Sequence, residues 1–315
     1  MPEPDVTVRE VGLRDGLQNV ATFFPTASKL AWVTAEYEAG VREMQVCSFV
    51  PEKVFPQFRD CAEVVSHALR QPDLVVSAFV PNVKGAQRAF EAGVHLLVHV
   101  VSASEGHNRR NLQRTVADSM EDFRLIADLR QSREEWRSVG IGGCVATSFG
   151  CTIDGRIDPD SVIRLADQYV ELGADEVMIA DTVGFADPAH VKALFLRLNS
   201  RLGDIPPSAH FHDTRGLGLA NVVAALEAGI RRFDSSLAGL GGCPFAPGAT
   251  GNIVTEDLVF MLEAMGMSTG IDVEQLVKVR RIVERKLPDE PLHGAIAAAG
   301  LPKGFAPAAS QDQIR

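Results

Sequence analysis

Two histidines one residue apart, His210 and His212 in "SAHFHD", stand on what reads as a single β-strand. Strand side chains alternate faces and advance roughly 3.3 Å per residue, so the two imidazoles point the same way. Such a pair can bind one metal ion if a carboxylate joins it, and Asp15 in "GLRDG" is the obvious one. Imidazole, carboxylate and an amide oxygen suit an octahedral Mg2+ or Mn2+ with open water positions, and the lack of thiolates disfavours a closed zinc site. Each piece alone has a plainer reading. An isolated H-x-H is more often a structural pair, "RDG" a turn, Asp181 a helix cap and Cys243 a small buried apolar residue.

These residues gain meaning from the elements that must carry them. Strand-like runs "VTVREV", "EMQVCSFV", "LVVSAFV", "HLLVHVV", "GIGGCVAT", "EVMIAD", "SAHFHD" and "RFDSSLA" alternate with helical patterns over 26–39, 60–70, 83–92, 115–136, 158–172, 188–202 and 217–228. A junction recurs as "EAGVRE", "EAGVHL", "ELGADE" and "EAGIRR", each a helix end closed by Gly before a strand begins. Eight such alternations predict a (β/α)8 TIM barrel rather than a doubly wound sheet, since "EVGLRDGLQ" lacks the G-x-G-x-x-G spacing. Further helical patterns at 255–265 and 273–285 divide the chain into a barrel over 1–270 and a C-terminal helical extension over 271–315, packed on it.

In such a barrel the active site lies where strands run into the following loops. Those ends carry Arg14 and Asp15, Gln45 and Ser48, Asn82, Ser102, Asp181 with Thr182, and His210 with His212. The eighth strand leads into "GLGGCPFAPGATGN", a glycine-rich stretch around Cys243. Pro244 and Pro247 limit its freedom to a few positions, which suits a lid over the site.

Composition narrows the function classes. A formal net charge of -10 argues against nucleic acid as a partner. Hydrophobic content of 46% with no apolar run near the roughly 18 residues of a membrane span indicates a soluble enzyme without membrane contact. Five irregularly spaced cysteines and no leader pattern suit the cytoplasm.

The motifs "VREVGLRDGLQN", "SFV", "PNVKG", "SASE", "ADTVG", "HFHDTRGLGLANV" and "DSSLAGLGGCPFAPGATGNIVTEDLV" resemble the 3-hydroxy-3-methylglutaryl-CoA lyase family, a metal-dependent lyase group sharing a barrel and an "RD" motif. The resemblance runs in order from about residue 5 to 275. It implies retro-Claisen cleavage of a 3-hydroxyacyl-CoA with a distal carboxylate, giving acetyl-CoA and a keto acid, in a homo-oligomer. It further implies that Asp15, His210, His212 and Asn252 hold Mg2+ or Mn2+, that Arg14 stabilises the thioester oxyanion, and that Cys243 transfers a proton. Glu256 matches a position of the active-site network, where its plainer role is favourable charge at a helix start. Asn82, Lys84 and Ser102, together with Ser104, are placed to hold acyl-CoA, with Ser48, Asp181 and Thr182 lining the substrate side.

Departures from the family's pattern cluster on that side. Gln45 replaces a glutamate, Arg215 a tyrosine, and Val20 with Ala21 a charged pair. No cysteine follows Cys243, which leaves no partner for a regulatory disulfide near the C-terminus. The expectation is conserved chemistry on an altered acyl group, with citramalyl-CoA as a candidate. The alternatives are an aldolase or condensing enzyme using the same metal on keto acids, and an acyl-CoA-binding pseudoenzyme.

Overall fold

Eight parallel strands close in sequence order into one barrel in the computed structural model, which describes residues 3–242 and 251–311. The strands are β1 (Thr7–Glu10), β2 (Glu43–Ser48), β3 (Val75–Val80), β4 (Leu96–Ser102), β5 (Gly140–Ala146), β6 (Glu176–Asp181), β7 (Pro207–Phe211) and β8 (Arg232–Ser235). Around them lie α1 (Thr26–Glu38), α2 (Cys61–Ala68), α3 (Val83–Ala92), α4 (Glu105–Leu112), α5 (Val116–Gln131), α6 (Pro159–Glu171), α7 (Pro188–Asn199) and α8 (Gly218–Glu227). The chain continues through α9 (Thr255–Ala264), α10 (Val273–Lys286) and the short α11 (Ala295–Ala299) and α12 (Ala308–Gln311). The expected TIM barrel is the observed fold.

Local chemistry explains the boundaries. At the four recurrent junctions, Gly40, Gly93, Gly173 and Gly229 all take positive φ, the conformation that lets a helix end turn directly into a strand. α6 and α7 each begin with an aspartate cap followed by proline at the first helical position. The helices bury their apolar faces on the outside of the barrel wall, where Trp32, Phe123, Tyr169 and Phe195 are wholly buried. A separate apolar cluster fills part of the lumen from alternate residues of β4, β5 and β6.

The structure departs from the sequence reading in three places. The single helix expected over 115–136 is α5 followed by a separate 3-10 turn at Glu134–Trp136, because Ser132 and Arg133 break the helical run. α4 was not foreseen: it is short and polar, and Ser104 caps it by accepting the His107 N–H at 2.9 Å. The end of the eighth expected strand is a 3-10 turn at Leu237–Gly239. α10 lies against α1 and α9, and Asp257 caps α11 by accepting the N–H groups of Ala295 and Ile296, both at 2.8 Å. Among the described residues no helix is long and apolar enough to cross a membrane.

Candidate active site

The end of β1 turns sharply because three amides share one acceptor. The N–H groups of Arg14, Asp15 and Gly16 converge on the Val11 carbonyl at 3.0, 2.7 and 3.3 Å in a π-helical turn over Gly12–Gly16. That turn brings Arg14 and Asp15 together, with Arg14 Nη1 donating to Asp15 Oδ1 at 2.6 Å. Arg14 Nε donates to Gln45 Oε1 from β2, and the guanidinium lies 4.9 Å from the Phe79 ring centroid. The end of β7 and the residue just past it supply the imidazoles: His210 and His212 have their Nε2 atoms 3.1 Å apart, at 3.9 and 3.4 Å respectively from Asp15 Oδ2.

Asn252 completes the group. Its Nδ2 donates to Asp15 Oδ2 at 2.8 Å and to the Leu240 carbonyl at 2.9 Å, while its backbone bridges to His212. The chain comes this close only because Gly251 has no side chain: its φ is +98°, and a Cβ there would run into the Gly241 carbonyl. The glycines of this segment thus serve close packing at the two ends that flank the cysteine. Cys243 itself lies outside the described residues.

Electrostatics favour a cation here. Burial alone would raise the Asp15 carboxyl, but Arg14 alongside, a His212 hydrogen bond and the His210 and His212 imidazoles hold it well below the usual range. One atom each from Asp15, His210 and His212 lies within 4.8 Å of the others, close enough to share one ion. The buried Asn252 Oδ1 has no hydrogen-bond partner among the described residues, and neither has His212 Nδ1. Arg14 faces Asp15 here, and Arg9 with Arg232 faces Glu43, Glu176 and Asp234 behind it. These donors are hard or borderline, a set able to hold a divalent cation.

A family model described as HMGL-like matches residues 5–283. The chain belongs to this family. Among HMGL-like relatives, hydroxymethylglutaryl-CoA lyase YngG of Bacillus subtilis is 37% identical over 288 residues, covering 91% of this chain and 95% of the relative. (R)-citramalyl-CoA lyase of Chloroflexus aurantiacus is 35% identical, covering 94% and 95% respectively. The family fold extends to a solved HMG-CoA lyase from Acinetobacter baumannii in complex with coenzyme A and 3-methylmalate. It superposes with a TM-score of 0.89 at 40% identity, over 96% of this chain and 97% of that one.

Other residues singled out from the sequence are distributed around this centre. Gln45 and Ser48 are buried on β2, and Gln45 Nε2 and Ser48 Oγ lack partners among the described residues. Asn82 caps α3 by accepting the Gly85 N–H at 3.0 Å, and Lys84 is exposed on that helix's first turn. Ser102 Oγ is engaged with His107 Nδ1 at 2.7 Å. Asp181 accepts the N–H groups of Phe185 and Ala186, burial raising its carboxyl, and Thr182 Oγ1 accepts the Thr147 N–H at 2.8 Å. These groups shape loops at the mouth.

Arg215 points to the β6–α7 loop rather than to the cluster of Asp15, His210 and His212. Its Nη1 donates to the Val183 and Gly184 carbonyls, and it stacks 4.5 Å from the Phe185 ring centroid. Glu256 is wholly buried, accepting the Ala238 N–H at 3.0 Å and Arg280 Nη1 at 3.2 Å, and burial pushes it up to about 6. It therefore anchors the root of the cysteine segment to α10. Sequence reasoning missed Glu10, whose Oε1 accepts both the Gly12 N–H at 2.6 Å and the Leu237 N–H at 3.0 Å, tying the Arg14–Asp15 turn to that same root. Two adjacent charged residues, Arg9 and Glu10, inside the otherwise strand-like run "VTVREV" were the available signal.

Proposed function

We propose that the protein is a divalent-metal-dependent acyl-CoA lyase, cleaving a 3-hydroxyacyl-CoA that carries a distal carboxylate. The observation that carries this reading is the convergence of Arg14, Asp15, His210, His212 and Asn252 at one barrel mouth. Mg2+ or Mn2+ held by Asp15, His210, His212 and Asn252 would acidify the substrate hydroxyl and orient it. In the reaction the hydroxyl loses its proton to a base and becomes a carbonyl. The electron pair of the C2–C3 bond passes to the thioester as an enolate, and C2 then takes up a proton to give acetyl-CoA beside the keto acid. Arg14 is the donor for the enolate oxygen, because its guanidinium is fixed by Asp15 and Gln45 before substrate arrives. Cys243 is the proton donor to C2 in this scheme.

Gln45 sets the acyl group. Arg14 holds its Oε1, so the amide nitrogen, lacking a partner among the described residues, is left to donate to substrate. A glutamate there would offer only acceptors and a negative charge. A donor at this point favours a carboxylate borne directly on the hydroxyl carbon, as in citramalyl-CoA, over the longer arm of 3-hydroxy-3-methylglutaryl-CoA. Purified protein with Mg2+ or Mn2+ is to be assayed on both thioesters by acetyl-CoA release. Faster turnover of citramalyl-CoA is expected, and Gln45→Glu should reverse the order. Equal or greater cleavage of the methylglutaryl thioester by the unaltered protein would refute the assignment of Gln45, and no metal-dependent release from either would refute the lyase reading.

A further inference from the structure

Barrel register lines up three side chains behind the proposed metal group. His210 on β7 lies directly opposite Asp234 on β8, and Asp234 directly opposite Arg9 on β1. Since residues in register share a face, this row runs across the lumen from the floor to the imidazole. Asp234 Oδ2 is 3.1 Å from His210 Nδ1, and its other oxygen is 3.6 Å from Arg9 Nη1. Asp234 is 1% exposed and Arg9 1%, so water has little access to either. Arg9 is in turn held by Glu176, with Nη2 donating to both carboxylate oxygens at 2.8 and 2.6 Å.

We infer that Asp234 is a positioning residue that sets the tautomer of His210, leaving its Nε2 lone pair free for a cation. Asp234 faces the Arg9 guanidinium with one oxygen and accepts through the other, so Nδ1 of His210 carries the hydrogen and Nε2 presents its lone pair beside Asp15 and His212. The same division of labour is general for metal-ligating histidines, whose second nitrogen donates to a fixed acceptor. His212 differs: its Nδ1 has no partner among the described residues, so only one of the two imidazoles is preset. The inference rests on the reading of the site as a metal centre, but the tautomer can be observed without metal.

Asp234→Asn is the informative change. Arg9 only donates, so the amide turns its oxygen to the guanidinium and its NH2 to His210 Nδ1. His210 is then forced into the Nε2–H form, which cannot ligate through Nε2. Nitrogen-15 NMR of histidine-labelled, metal-free protein, with His210 assigned by comparison with His210→Gln, reads the tautomer directly. Mn2+ affinity is measured on the same samples by the paramagnetic signal of free ion. The expected result is Nδ1–H in the unaltered protein, Nε2–H in Asp234→Asn, and Mn2+ binding weakened by roughly 10–100-fold. Unchanged tautomer in Asp234→Asn overturns the inference, even with weaker binding, since that loss would be one of packing. Mn2+ affinity within about twofold of the unaltered protein overturns it as well. Should Asp234→Asn fail to fold, the unaltered protein decides: Nε2–H on His210 refutes the assignment and Nδ1–H upholds it. Failure of the unaltered protein to bind Mn2+ would sink the metal reading while leaving the tautomer as the test of Asp234.

Discussion

On β4, β5 and most of β6 the inward side chains Leu96, Val98, Val100, Cys144, Ala146, Met178 and Ala180 pack into an apolar cluster, whereas β7, β8, β1, β2 and the first residue of β6 fill their share of the same lumen with Ser208, His210, Asp234, Arg9, Glu43 and Glu176. Both halves are buried and both obey the same alternation along the strand. They differ in what a single change leaves behind. Removing a methylene from the apolar half costs contacts and opens a small void. Removing one member of the polar half strands a charge in a medium that cannot solvate it. Chemistry is built on the half where partners are obligatory, and the apolar half gives that half a rigid wall.

The sharpest break of this contrast is Arg9→Met, a swap of similar length that leaves Glu43, Glu176 and Asp234 without their shared cation. Burial alone would depress the Arg9 guanidinium, yet Glu176, Asp234 and Glu43 raise it above its ordinary value. The variant is expected to lose about 3–5 kcal/mol of stability in urea unfolding. A loss under 1 kcal/mol would show that the halves are not different in kind. Next in size, Arg14→Met should lower kcat by about 10²–10³-fold, with far smaller change in stability, in an acetyl-CoA release assay. Met178→Leu is the matched test in the apolar half: a volume-conserving change there should cost less than about 1.5 kcal/mol and leave Mn2+ binding unchanged.

A pH series probes the border between the halves and the outer shell. Burial, partly offset by the hydrogen bonds from Thr255, Leu237 and Gly12, raises the Glu10 carboxyl from an ordinary 4.5 to about 8. A carboxyl whose folded value is raised contributes stability that is fully present below the unfolded value and is lost as pH rises through the folded one. Unfolding free energy should therefore decline between about pH 4.5 and pH 8, with Glu256 adding to the lower part of that range and Glu36, raised well above its ordinary value by burial and by Glu10, acting in the same direction. Glu10→Gln should flatten the curve, and an unaltered slope would disprove the assignment. The smallest effect concerns Cys144, whose thiol burial pushes up to about 12. Iodoacetamide at pH 8 should leave it unlabelled in folded protein, as mass spectrometry of the digest can show.

Much of this arrangement was legible from residue types alone. The eight strands, the glycine-closed helix ends and the facing of His210 with His212 follow from periods of 2 and 3.6 residues and from the residue type that most readily takes positive φ. These are local properties, written within a few positions of the chain. The apolar half of the lumen was equally local, since "LLVHVVS" and "EVMIAD" declare buried strands.

What the sequence could not decide was which polar groups have partners within the fold and which do not. Ser102, Asn82, Asp181 and Thr182 end strands as candidate substrate contacts, yet each finds its hydrogen-bond partner within the loops. Arg215 and Glu256 are likewise committed, to the Val183–Gly184 carbonyls and to Ala238 with Arg280. Asp234 and Glu10, which sequence reasoning passed over, acquire their positions only when β1 closes on β8 and brings residues more than 200 apart into register. By itself the sequence determined the strands, the turn signals and a set of residues able to do metal chemistry. Closure of the barrel decided which of them share one site, because hydrogen bonds and buried charges are satisfied by neighbours in space, and those neighbours are fixed by strand register.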